Sequence, residues 1–164
     1  MTQPAQPLPP SALEIRPTRF GSPVATALTA AALLDLAERY GGDGDSTPVT
    51  PLEFAPPDGG FVVAFLDGVP AGCGGWRTLT GDDQAGEIKR MYVVPEFRGR
   101  GVARAVLRAL EEAARKEGRK RMVLETGDRQ PEAIALYEKA GYLRIPDFGH
   151  YKDEPGVLSF GRDL

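Results

Sequence analysis

The sequence is poor in the residues that most catalytic and metal centres are built from. It has one cysteine, one histidine and one tryptophan in 164 residues. A lone Cys73 cannot close an intramolecular disulfide, and with His150 as the sole histidine a zinc ligand set is missing, so no metal is expected. A Ser-His-Asp triad would have to be built on His150, and no nucleophile elbow surrounds it. No apolar run approaches the ~18–20 residues that cross a bilayer. The opening Met-Thr-Gln-Pro-Ala-Gln-Pro has neither the basic nor the apolar part of a secretory signal. These absences set the expectation of a cytoplasmic protein with no membrane partner. The formal charge of −3 argues against a general nucleic-acid binder.

That charge is unevenly spread. Residues 1–88 carry 4 basic and 11 acidic side chains, whereas residues 89–121 carry 11 basic and 4 acidic ones. A compact positive segment in an acidic chain suits either a solvated helix face or a small polyanion held locally. Length and composition fit one domain, expected over 13–164, with the proline-rich residues 1–12 as a disordered tail.

Periodicity outlines the elements. Ala12–Arg16 alternates like a short strand, and Pro23–Tyr40 has apolar residues at helical spacing before Gly41 and Gly42 stop it. Residues 43–60 read as a long acidic loop with at most a helical turn; Asp43, Asp45, Glu53 and Asp58 are candidates to attract a cationic amine. Phe61–Leu66 and Val69–Leu79 flank Asp67-Gly68, a two-residue hairpin signal. Gly72, Gly74 and Gly75 in the second of these strands fit either close backbone packing or a floor kept clear for a ligand. Glu87–Val94 is a third strand, residues 98–117 the strongest amphipathic helix, Lys120–Thr126 a strand and Pro131–Ala140 a short helix. Tyr142–Ile145 and Val157–Phe160 complete the order β-α-β-β-β-α-β-α-β-β, an α/β or α+β arrangement around one mixed sheet.

The chemistry concentrates in Met91 to Ala103. A strand ends at Pro95 and a glycine-spaced turn leads directly into the long helix. The first backbone N–H groups of a helix lack internal partners, and the macrodipole adds partial positive charge there. Gly99 and Gly101 let the backbone approach a bulky anion, and Arg98 and Arg100 add full charges beside it. The pattern differs from a P-loop, which needs GxxxxGK[ST], and from the dinucleotide fingerprint, whose third glycine position is Arg104 here.

Arg98-x-x-Gly101-x-Ala103 resembles the acetyl-CoA pyrophosphate loop of the GNAT N-acetyltransferase superfamily. Ala133 to Tyr142 (AIALYEKAGY) resembles that superfamily's Ala-x-x-Leu-Tyr-x-x-x-Gly-Phe/Tyr segment. The likeness extends over about residues 60–145. It implies an α/β (α+β) fold with a mixed, mostly antiparallel sheet of six to seven strands flanked by about four helices. It also implies direct transfer of an acetyl group from acetyl-CoA to a primary amine of a small molecule, amino acid or peptide. Arg98, Gly99, Arg100, Gly101, Val102 and Ala103 then bind the cofactor's phosphates. The backbone of Met91, Tyr92 and Val93 pairs with its pantetheine arm, and Val93 donates an N–H to the thioester oxygen. Gln130 stands where the family commonly has a cofactor-contacting Asn. Tyr137 is the implied general acid. Glu87, acting directly or through water, is the first choice of base and Glu125 the other; direct transfer leaves Cys73 no role as acyl carrier. Trp76, Arg77, Phe148, His150 and Tyr151 are candidates to line the acceptor pocket, and a homodimer through the C-terminal strands stays open. Two other classes compete: a non-catalytic acyl-CoA-binding or regulatory module on the same fold, and a nucleotide binder using the glycine loop.

Overall fold

The computed structural model describes residues 12–164; of the tail expected over residues 1–12, all but the last residue lies outside the described residues. Seven strands form one sheet in the order β1-β2-β3-β4-β5-β7-β6. They are β1 (Leu13–Pro17), β2 (Gly59–Leu66), β3 (Val69–Leu79), β4 (Asp82–Val93), β5 (Arg121–Gly127), β6 (Leu143–Arg144) and β7 (Val157–Asp163). All neighbours are antiparallel except β4 and β5. The helices are α1 (Pro23–Tyr40), α2 (Val102–Lys116) and α3 (Pro131–Lys139). The fourth helix of the expected set is replaced, among the described residues, by short 3-10 turns at Pro51–Phe54 and Pro95–Phe97. No described helix is long and apolar enough to cross a membrane.

Local chemistry explains most boundaries. Ser22 caps α1 by accepting the Ala25 N–H, with Pro23 at the first helical position. Asp67 and Gly68 both adopt positive φ (50° and 80°), the two-residue turn whose twist matches a hairpin. β4 begins earlier than expected, because the turn closes within Thr80–Gly81. α2 begins later, at Val102, because Gly99 and Gly101 hold φ of 78° and 79° and cannot be part of its spiral.

The sheet has a core on each face. Val106, Leu107, Leu110 and Ala114 of α2 pack with Trp76, Ile88, Met122, Leu124, Tyr137 and Phe160 on one side. Ala25 and Leu28 of α1 pack with Phe54, Phe61, Val63 and Cys73 on the other. The glycines of β3 belong to these cores. A Cβ on Gly74 would lie 2.8 Å from Val106 and 3.0 Å from Leu110, and one on Gly75 would lie 2.8 Å from the Phe54 ring. Close packing therefore accounts for them, and the ligand-floor expectation is withdrawn. Trp76 is fully buried in the same layer, which removes it from the acceptor pocket.

Candidate active site

The site is a split in the sheet. β4 and β5 pair only over Ala85–Glu87 and Arg121–Val123; beyond that point they separate, while β5 stays paired with β7 along its length. The register of β4 against β3 shifts between Cys73 and Gly75, opposite Arg90, whose φ is +60°. A bulge of this kind bends its strand and raises the local twist. It turns the end of β4 away from β5 and leaves two strand edges facing each other without a ladder. The Val94 N–H donates to Ala71 O (2.8 Å), so by the alternation of the strand the N–H of Val93 faces the open edge. The Val93 carbonyl faces it too, accepting from Arg98 Nε at 3.2 Å. Such an edge suits a ligand that carries amide groups of its own.

A cavity of about 830 Å³ occupies the split. One end reaches the start of α2. There Gly101 is the N-cap in the left-handed region, with no side-chain cap and no acidic residue in the first turn. The first intrahelical bond runs from Ala105 N to Gly101 O, so the N–H groups of Val102, Ala103 and Arg104 have no partner inside the helix. Met91, Tyr92, Val93, Arg98, Gly99, Gly101, Val102, Ala103, Gln130 and Tyr137 line the cavity. Arg100 and Glu87 do not. The Arg100 guanidinium lies 6.0 Å from the centre of the Phe97 ring.

Two carboxylates mark the inner end of the split, and the structure separates them. Glu87 is buried and accepts from Arg77 Nε at 2.9 Å, an ion pair covered by the 43–58 loop. Glu87 therefore does not reach the cavity directly, and Arg77 is likewise occupied with Glu87, Glu53 and the Pro48 carbonyl. Glu125 lines the cavity. Its Oε2 accepts the Tyr151 N–H at 3.0 Å, and its buried Oε1 has no partner among the described residues. Burial pushes its pKa up, against the smaller opposing effects of that N–H and of Lys89.

Tyr137 is almost wholly buried between Tyr142 and Phe160, with its side chain on the cavity wall. Desolvation drives its phenol well above the ordinary range, so it stays protonated. The Cys73 thiol is pushed up to about 12 by burial and donates to the Arg90 carbonyl at 3.4 Å, which suits a packing residue.

Three of the four acidic loop candidates, Asp45, Glu53 and Asp58, are engaged, while Asp43 is exposed. Asp45 lies against Lys89, Arg90, Thr47 and Tyr151, and although burial opposes it, these partners hold its carboxyl well below its usual range. Glu53 meets Arg77, and Asp58 lies 3.6 Å from Arg119. Of the other acceptor candidates, Tyr151 lines the cavity, while Phe148 and His150 do not. His150 is exposed, with Nε2 3.2 Å from Ser46 Oγ. Sequence reasoning missed Lys89 and Arg90, both of which line the cavity. Two adjacent cations inside an otherwise apolar strand were the available sign of a bulge.

Comparison with known proteins agrees with this geometry. The chain is 37% identical over 136 residues to an IAA acetyltransferase of Azospirillum brasilense, covering 80% of this chain and 88% of that one. Its fold matches a GNAT-family acetyltransferase of Staphylococcus aureus, with a TM-score of 0.75 at 17% identity over 93% of this chain and 99% of that one. A GNAT-family acetyltransferase of Elizabethkingia anophelis, solved with acetyl-CoA bound, matches with a TM-score of 0.66 at 19% identity over 93% and 98% of the two chains. At these identities the two structures speak to the fold alone. The model of the acetyltransferase (GNAT) family matches residues 30–142. The chain belongs to the acetyltransferase (GNAT) family, whose co-substrate is acetyl-CoA.

Proposed function

We propose that the protein moves an acetyl group from acetyl-CoA to a primary amine of a small molecule, amino acid or peptide by direct attack in a ternary complex. One observation carries the reading: a single cleft runs from the unpartnered N–H groups of α2 to the half-bonded carboxylate of Glu125. Acetyl-CoA, when bound, supplies the activated acetyl group. The loop Arg98–Gly101 and the first N–H groups of α2 would hold its phosphates, with Gln130 lining the same cavity. The Val93 N–H, on the open edge of β4, would meet the thioester oxygen as negative charge develops there.

The acceptor arrives as an ammonium, since an amine of pKa ~10 is about a thousandfold protonated at pH 7. Glu125 takes that proton, and the nitrogen then bonds to the acetyl carbon. As the carbon–sulfur bond breaks, its electron pair leaves with sulfur and the Tyr137 hydroxyl delivers a proton to the thiolate; the second proton that the nitrogen sheds on becoming an amide passes through solvent to the tyrosinate. Glu125 is preferred to Glu87 because its raised pKa makes it the stronger base and it lines the cleft, whereas Glu87 is held by Arg77 away from it. A cytoplasmic setting is part of the proposal.

Release of CoA thiol from acetyl-CoA across a panel of primary amines tests it. Amine-dependent release with an N-acetylated product is expected; acetyl-CoA binding without release from any amine would leave only a binding module. Tyr137→Phe is expected to lower kcat by about a hundredfold, with a smaller change in the acetyl-CoA Kd measured by calorimetry. An unchanged kcat removes the acid role.

A further inference from the structure

We infer that the acceptor carries a carboxylate as well as an amine, an amino acid in its simplest form, and that Lys89 and Arg90 receive that carboxylate. This rests on the proposed acetyl transfer and names the substrate class of the same site. In a regular strand the two side chains would face opposite sides of the sheet. The bulge, with Arg90 at φ +60°, brings both onto one carboxylate: Lys89 Nζ lies 3.2 Å from Asp45 Oδ2, and Arg90 Nη1 contacts the same oxygen. Each side chain is only 6% exposed. Thr47 satisfies further hydrogen bonds through Oγ1 to Lys89 and its carbonyl to Arg90, but it brings no charge.

Two desolvated cations thus meet Asp45 directly, and Lys89 also feels the charge of Glu125. Glu87 and Glu53 are committed to Arg77, so once Glu125 pairs with the acceptor's ammonium, Asp45 alone faces the two cations. An unpaired buried charge is costly, and an incoming anion relieves it. Lys89 and Arg90 line the cavity that Glu125 also lines. Tyr151 fixes the spacing: its N–H reaches Glu125 Oε2 at 3.0 Å and its hydroxyl reaches Asp45 Oδ1 at 2.7 Å. The carboxylate that takes the proton and the cation pair are therefore one tyrosine apart. A small zwitterion bridges them, its ammonium at the Glu125 carboxylate and its carboxylate at Lys89 and Arg90. A diamine, cationic at both ends, meets repulsion at the second position.

The test compares initial rates for the twenty L-amino acids, for their primary amides and for 1,4-diaminobutane. The best acceptor is expected among the free acids, with kcat/KM at least about tenfold above its amide. Lys89→Met, and Arg90→Asn as a second variant suited to positive φ, are expected to shrink that ratio, chiefly through KM for the acid. Amides or the diamine used as well as the acids would overturn the inference and leave acetyl transfer standing. An acid preference that survives both folded variants would overturn the assignment to Lys89 and Arg90. Turnover of no amine at all would defeat the acetyl-transfer reading, and this one with it. Should a variant fail to fold, the wild-type ratio still decides.

Discussion

Glu125→Gln is expected to lower kcat by about a hundredfold or more while leaving acetyl-CoA affinity nearly unchanged. General-base catalysis contributes ~10²–10⁴-fold, and glutamine keeps an oxygen to accept the Tyr151 N–H that Glu125 now receives. The pH profile sharpens the expectation. A base works when deprotonated, so wild-type kcat/KM falls as pH drops through the Glu125 pKa, which burial raises above the ordinary carboxylate range. In Glu125→Gln that acid limb disappears. The same group has the opposite effect on stability. A raised pKa favours the protonated form in the folded state, so the stability it contributes is present at low pH and lost as pH rises through the folded value. The variant should therefore unfold at a midpoint no lower than that of the wild type at neutral pH. Glu87→Gln supplies the contrast. It leaves the buried Arg77 with only the more exposed Glu53 as a carboxylate partner, so it should lower the unfolding midpoint and keep the acid limb. If the limb vanished with Glu87 and persisted without Glu125, the assignment of the base would be wrong.

Gly101→Val is expected to weaken acetyl-CoA binding by at least about tenfold. Space is not the reason, since nothing lies within 4 Å of a Cβ built at Gly101 or at Gly99. The reason is the backbone: φ is 79° at Gly101, and a side chain in the left-handed region costs roughly 1–2 kcal/mol, more readily relieved by turning the peptide than by tolerating it. Turning that peptide re-aims the N–H groups that open α2. Gly118 follows the other end of α2 with a similar φ of 82° and equally open space. Gly118→Val should therefore lose comparable stability with no loss of affinity. Calorimetric titration of both variants separates the two effects, and equal affinities would detach the loop from the cofactor.

The parts of this fold that could be read in the sequence are those governed by neighbours in the chain. Asp67-Gly68 specified its hairpin because only two residues and their φ values are involved. The spacing of Val102, Val106 and Leu110 gave α2 its buried face for the same reason. The glycine loop was visible as a binding element, although its two positive-φ residues delay the helix to Val102. What could not be read depends on distant segments. Which of Glu87 and Glu125 stays available is decided by Arg77 of β3 on one side and by Tyr151, beyond β6, on the other. The β3 glycines looked equally suited to a ligand or to packing until α2 and Phe54 were seen against them. Lys89 and Arg90 converge through a register shift that no periodicity announces, and the loop residue Asp45 that joins them lies 45 positions from Arg90.

The central claim is that the split sheet and the start of α2 receive one molecule of acetyl-CoA. A crystal of the full chain grown with acetyl-CoA tests it most directly. The account predicts the diphosphate on the amides of residues 99–104, the pantetheine arm along the free edge of β4, and the thioester oxygen at the Val93 N–H. Density for the diphosphate anywhere else on the molecule would contradict it.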